Sequence, residues 1–162
     1  IFAQTYPAIH AHFEQHRERL IKRYDQGDYF WELRSCAYWE EFDKPKIIYP
    51  DIAKEPEFTF DEDGYYLVNT LYLMPTEDLS LLGILNSSVV EFFYTQTSST
   101  IRGDYLRFIA TYISRIPIPQ PSDPAPIETL VQRILDAKAA DPAADVRALE
   151  AEIAIIEGNT EA

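Results

Sequence analysis

Apolar positions along this chain recur at two spacings, and the switches between them mark out its elements. Ile9, Phe13, Leu20 and Tyr24 fall on one face at helical spacing, which predicts a helix over residues 7–25. Pro7 suits its first position and Gly27 its end. Tyr29, Trp31 and Leu33 alternate instead, so residues 29–43 begin as a short strand or extended segment. Residues 45–49 form a β-rich run closed by Pro50. Residues 58–60 and 65–73 read as two strands of a hairpin joined through Asp61-Glu62-Asp63-Gly64, with Gly64 at positive φ. Helical spacing returns at Leu79, Leu82, Leu85, Val89 and Phe93, behind a Thr76 cap with Glu77 and Asp78 in the first turn. Asn86-Ser87-Ser88 interrupts this buried helix and is read as a close helix–sheet packing point.

Residues 95–104 form a polar loop, and residues 105–116 a strand in which Leu106, Phe108, Ala110 and Tyr112 alternate against Arg107, Ile109, Thr111 and Ile113. The run Ile116-Pro117-Ile118-Pro119-Gln120-Pro121 cannot continue a central strand and reads as an extended exit. Two amphipathic helices follow. One spans 126–140; the other starts at Asp141-Pro142, carries Val146, Leu149, Ile153 and Ile156, and ends at Gly158. The expected fold is α+β: a mixed, mainly antiparallel sheet with packed helices, then a C-terminal helical hairpin. The expected domains are 1–121 and a hairpin appendage at 122–162. The chain opens on Ile1 inside a structured pattern, so it is read as a segment of a longer protein.

Composition narrows the function classes. The 162 residues are 46% hydrophobic and 14% aromatic, enough for a core, and no apolar run approaches the ~20 residues that cross a bilayer. The single Cys36 excludes an intrachain disulfide and a cysteine-based zinc site, and suits a cytoplasmic location. Net charge is −13, against simple bulk attraction to nucleic acid. Residues 121–162 hold nine Asp and Glu against three Lys and Arg, so the body keeps room for a local basic face. His12 and His16 sit at i,i+4, but nothing in the pattern completes a metal site. The acidic run 61–63 lacks the spacing of a calcium loop. Phosphate loops, nucleophile elbows and zinc-protease motifs do not occur, and no catalytic centre stands out.

The stretch 29–52, YFWELRSCAYWEEFDKPKIIYPDI, joins aromatics to cations. Such a mixture can stack on bases and hold phosphates. It is equally what a core edge looks like, with Lys and Arg stems covering apolar surface. Arg17, Arg19, Lys22 and Arg23 leave the same choice open at the end of the first helix.

The order of motifs tips the balance toward DNA. A Pro-started helix with a basic end precedes Tyr-Phe-Trp-Glu-Leu-Arg, then Lys-Pro-Lys-Ile-Ile-Tyr, an Asp-Gly turn, Leu-Leu-Gly-Ile-Leu-Asn-Ser-Ser, Gly-Asp-Tyr-Leu-Arg-Phe and Ile-Pro-Ile-Pro. Over about residues 5–140 this resembles the TaqI-like C-terminal specificity domain of adenine-specific DNA methyltransferases and of fused (type IIG) restriction–modification enzymes. It is also similar to the target recognition domains of type I restriction specificity subunits. The positions carrying the likeness are scaffold: Trp31, Leu33, Arg34, Pro45, Lys46, Ile47, Gly83, Leu85, Asn86, Ser87, Gly103, Pro117 and Pro119.

The resemblance implies a DNA target recognition domain that works beside a catalytic domain of the same parent chain, which binds S-adenosylmethionine and methylates a flipped adenine. The Asn-Pro-Pro-Tyr-type motif of that partner is missing here, so no cofactor is expected in this chain. Double-stranded DNA is the implied ligand, and no membrane partner is expected. The candidate DNA-binding residues are Arg34, Tyr38, Trp39, Lys44, Lys46, Arg102, Tyr105 and Arg107: cations for phosphates or guanine edges, aromatics to wedge or stack. The reading surface is expected to combine the 35–44 connection with the loop at 95–107. The alternative is a structural or protein-interaction module that docks a partner subunit through the helical hairpin.

Overall fold

The computed structural model describes residues 1–101 and 103–160, with backbone alone at 157–160. The chain divides into two compact units, Ile1–Trp39 and Glu40–Ala162.

The first unit is a knot of aromatics. A short helix α1 (Phe2–Thr5) opens the chain, and the expected helix over 7–25 is instead two, α2 (Pro7–Glu14) and α3 (Arg17–Ile21). The second ends at Ile21, short of residue 25, where tertiary hydrogen bonding takes over. The chain after Ile21 folds back so that Gly27 N donates to Glu32 O and Arg34 N to Asp25 O, around a lone antiparallel bridge between Gln26 and Leu33. The short strand or extended segment expected at the start of 29–43 is reduced to that one bridge, with turns on either side and a 3-10 turn at Trp39–Glu41. Gly27 makes the close approach possible, since a Cβ there would lie 2.6 Å from Leu33 O. Phe30 is buried, with His10 and Trp31 edge-on to its ring and the Arg17 guanidinium 3.9 Å above it. Tyr29 stacks on Trp31 at 4.9 Å. Arg23 caps the carbonyls of Phe30 and Glu32 at 3.2 and 2.6 Å, and Arg17 also pairs with Glu14. These two cations of the basic helix end are thus spent inside the unit.

The second unit is built on β1 (Lys46–Pro50), whose first four residues are all buried. A strand buried on both faces needs a neighbour on each edge. β3 (Thr59–Asp61) and β4 (Leu71–Pro75) supply them, both antiparallel, in the order β3-β1-β4. The hairpin expected between residues 58–60 and 65–73 is therefore corrected: β3 and β4 flank β1 rather than pair with each other, and residues 62–70 cross over as a loop. Gly64 does take φ +77° in that loop. Just after β1 the chain enters a second small sheet, β2 (Ile52–Ala53), β5 (Thr100–Ile101) and β6 (Tyr105–Arg107), in the order β2-β6-β5 and again antiparallel.

The long helix expected at 76–93 is two, α4 (Leu79–Leu85) and α5 (Ser88–Thr97). The cap of α4 is Asp78 rather than Thr76: its Oδ1 accepts from Leu81 N at 2.9 Å. Ser87 caps α5 by accepting from Val90 N. Asn86 between them forms the anticipated packing point, accepting from Phe58 N at 3.0 Å and donating to Phe58 O at 2.9 Å. The strand expected over 105–116 stops at Arg107 because its partner β2 is two residues long; Phe108 N then bonds Asp51 O, and α6 (Ala110–Ile113) follows.

After the Pro-rich exit, α7 (Ala125–Ala140) lies against α4. Gly83 permits this contact: a Cβ there would fall 2.7 Å from Val131 Cγ2 and 3.0 Å from Ile127 Cγ2. α8 (Arg147–Thr160) starts later than expected, after a turn at Pro142 and Ala143, and Asp145 Oδ1 accepts from Arg147 N; it also runs past Gly158. Ile127, Leu130, Val131 and Ile153 share one core with Ile47, Tyr49, Leu85, Tyr94 and Phe108. The hairpin helices are thus part of the core of the second unit. The whole is α+β with antiparallel sheets, as the pattern of elements implies.

Candidate nucleic-acid interface

The small sheet β2-β6-β5 has one face in the core and one in solvent. Leu106 and Ala53, paired across β6 and β2, are buried. Side chains alternate along a strand, so Tyr105 and Arg107 share the opposite face of β6. Ile52 stands across from Arg107 and Ile101 across from Tyr105. Ile52, Ile101 and Tyr105 are 46%, 36% and 39% exposed, large for apolar side chains in paired strands. Lys54, exposed, projects one pair beyond Ala53, and its ammonium lies 5.3 Å over the Tyr105 ring. A cation over an aromatic face, flanked by two exposed isoleucines and a guanidinium, can stack on a flat ligand and hold an anionic one.

The framework behind this face is rigid. Tyr94 is fully buried, stacks on Phe108 at 4.6 Å and donates its hydroxyl to Arg107 O at 2.7 Å. Burial pushes its phenol up to about 12. Ser98 Oγ donates to the same carbonyl at 3.2 Å. At the hairpin tip Gly103 and Asp104 both take left-handed φ, +87° and +62°, conformations that Gly and Asp adopt most readily. The Arg107 guanidinium is held by Asp51: Nε donates to Oδ1 at 3.1 Å and Nη2 lies 3.0 Å from the same oxygen.

The other candidate residues fall in different places. Arg102 lies outside the described residues. Arg34, Tyr38 and Trp39 are exposed in the first unit. Lys44 is exposed in the second and bonds Glu41 Oε1 at 2.7 Å, a contact that raises its pKa. Lys46 requires a correction. Its side chain is 0% exposed, its ammonium sits 2.5 Å from Asp61 Oδ2, and it donates to Phe42 O at 2.6 Å. A buried ammonium so occupied has no access to a phosphate. Its place on β1, directly across from Asp61, makes it a cross-strand pin instead. Lys54 was missed. Its signal was present in Ile52-Ala53-Lys54, an apolar–small–cation alternation just past Pro50.

Comparison with known proteins gives the family. Residues 7–118 match the TaqI-like C-terminal specificity domain. The chain belongs to that family. Similar proteins include the type II methyltransferase M.BstVI of Geobacillus stearothermophilus, 30% identical over 123 residues, which cover 72% of this chain and 22% of the relative. The type II methyltransferase M.PaeR7I of Pseudomonas aeruginosa is 35% identical over 88 residues, 52% of this chain and 15% of the relative. M.XhoI of Xanthomonas vasicola is 26% identical over 121 residues, 71% of this chain and 22% of the relative. The chain spans about a fifth of the length of these relatives. Several scaffold positions of the specificity-domain pattern have structural duties here: Lys46 pins β1 to β3, Gly83 admits α7, Asn86 clamps Phe58 and Ser87 caps α5.

Proposed function

We propose that this chain is the DNA target-recognition part of a restriction–modification adenine methyltransferase, and that it engages the duplex with the open face of the β2-β6-β5 sheet. The observation that carries the reading is that face: Lys54 over Tyr105, beside Ile52, Ile101 and Arg107. Membership of a specificity-domain family with type II methyltransferase relatives supports DNA as the ligand. In this reading, methyl transfer from S-adenosylmethionine to a flipped adenine belongs to a catalytic domain of the same parent, and this chain chooses the site.

Charge shapes how it would bind. Residues 1–39 carry five cations and five carboxylates, whereas residues 40–162 carry nine and twenty-two. The whole excess therefore falls on the second unit. Binding there rests on a few directed contacts rather than on bulk attraction, so its salt dependence is shallow; each phosphate contact adds about 0.9 to the slope. The protein-docking alternative draws on the acidic balance of the second unit, but Ile127, Leu130, Val131 and Ile153 of the seam it would use are buried in that unit's own core.

The test uses the full methyltransferase that contains this segment, with Tyr105→Ala and Lys54→Gln. Plasmid protection is measured against a nuclease sensitive to the modification, with circular dichroism as the folding control. Loss of one stacking platform weakens recognition on the order of ten- to a hundredfold. Full protection by both variants, correctly folded, would discard the proposed face.

A further inference from the structure

We infer that Asp51 and Arg107 form a preset guanine reader in which the carboxylate aims the guanidinium; this rests on the reading of the chain as a DNA target-recognition domain. A guanidinium has two forked edges. Here the edge formed by Nε and Nη2 faces one carboxylate oxygen, Asp51 Oδ1: Nε donates to it at 3.1 Å and Nη2 lies 3.0 Å from it. The other edge, Nη1 with the far hydrogen of Nη2, donates to no described residue, and the side chain is 37% exposed. That free fork matches the two acceptors, O6 and N7, that guanine shows in the major groove.

The aim of the fork is fixed from behind. Asp51 stands where the chain leaves one sheet for the other: its N–H donates to Thr70 O at 2.9 Å and its carbonyl accepts from Phe108 N at 2.8 Å. The Arg107 carbonyl is held by both Tyr94 and Ser98. Both ends of the pair are therefore anchored through their backbone, and little side-chain entropy remains to be lost on contact.

A phosphate offers paired acceptors too, but the pair disfavours it. Asp51 offsets the charge of Arg107 and sits against it, so an approaching anion meets a carboxylate. A base edge is neutral and carries no such penalty, and directional bonding is what the neutralised fork retains. Asp51 Oδ2 is left able to accept from a cytosine amine beside it, the base-edge donor that carboxylates recognise.

The experiment uses the full methyltransferase and its own target duplex, located by mapping methylated adenines in a plasmid. Each target guanine is replaced in turn by 7-deazaguanine, which lacks the N7 acceptor. The wild-type enzyme should lose about tenfold in kcat/KM at one guanine only. Arg107→Gln should methylate the unmodified duplex roughly ten- to a hundredfold more slowly and be indifferent to deaza substitution there, with Arg107→Lys failing to rescue. Asp51→Asn should lose part of the discrimination at that same guanine and at no other, which a purely structural role would not produce. Wild-type indifference at every guanine overturns the inference without any variant having to fold. Equal loss by Arg107→Gln on all duplexes, deaza or not, makes Arg107 a phosphate contact and also overturns it. If Tyr105→Ala still impairs methylation in either case, target recognition by this face stands and only the guanine reader falls. If Tyr105→Ala and Lys54→Gln are silent as well, the functional reading falls with it.

Discussion

Replacing Asp61 by Ala would strand an ammonium in the interior of the second unit. Lys46 is 0% exposed and Asp61 4%, and they face each other across β1 and β3. The carboxylate also accepts from Asp63 N and Tyr65 N, both at 3.0 Å, and so ties down the start of the 62–70 loop. With the carboxylate gone, Lys46 keeps only Phe42 O at 2.6 Å and Lys44 O at 3.4 Å among the described residues. Removing one partner of a buried pair costs about 3–5 kcal/mol. With a urea slope of about 2 kcal/mol/M, the unfolding midpoint of the 162-residue chain should fall by about 1.5–2.5 M. Lys46→Met with Asp61→Ala should cost less than the two single changes together, by at least about 1 kcal/mol, because no charge is left unpaired. Burial pushes the Asp61 carboxyl up, but the Lys46 ammonium and the two loop N–H groups outweigh it and hold it below the ordinary range. A depressed carboxyl contributes stability above its unfolded pKa, about 3.9, and loses it as pH falls through the folded value. The wild-type midpoint should therefore hold above about pH 5 and drop below about pH 4, and the Asp61→Ala chain should lack this carboxylate's share of the drop. A midpoint shift under about 0.5 M, or additive single and double variants, would show that the pair is not what binds β1 to β3.

Two further outcomes follow from the packing. Gly83→Ala drives a methyl to within 2.7 Å of Val131 Cγ2 and should destabilise the chain by about 1–3 kcal/mol in urea unfolding, with Val131→Ala in the same chain recovering part of it. Tyr94 should be among the last of the eleven tyrosines to ionise, because its phenol is pushed up to about 12; in an absorbance titration at 295 nm, Tyr94→Phe should remove a step near that pH and leave the earlier ones in place, at a cost near 1 kcal/mol for the lost bond to Arg107 O.

The parts of the fold that were legible in the sequence are those with a local cause. The β1 run is apolar over consecutive residues, so it had to be a buried strand wherever it paired. The stripe of α7 and the prolines before it needed no partner to be recognised. Asn86 stood out as a polar break in an apolar helix and marks close packing, and Gly83, a scaffold position of the family pattern, proves to mark it too. Of the site, Tyr105 and Arg107 were visible as alternating positions on one strand.

What stayed hidden depends on partners distant in the chain. Lys46 has the composition of a surface cation and becomes a buried pin only because Asp61, fifteen residues on, lands opposite it. Lys54 gained meaning when β2 paired with β6, more than fifty residues away, and set its ammonium over Tyr105. By itself the sequence determined the α+β class, the type of most elements and the specificity-domain pattern, because hydrophobic period, caps and glycines act within a few residues. Only the tertiary structure decided which strands became neighbours, and with that which cations were buried and which were left on an open face. Strand pairing is settled by burial and hydrogen bonding between segments that local sequence does not connect.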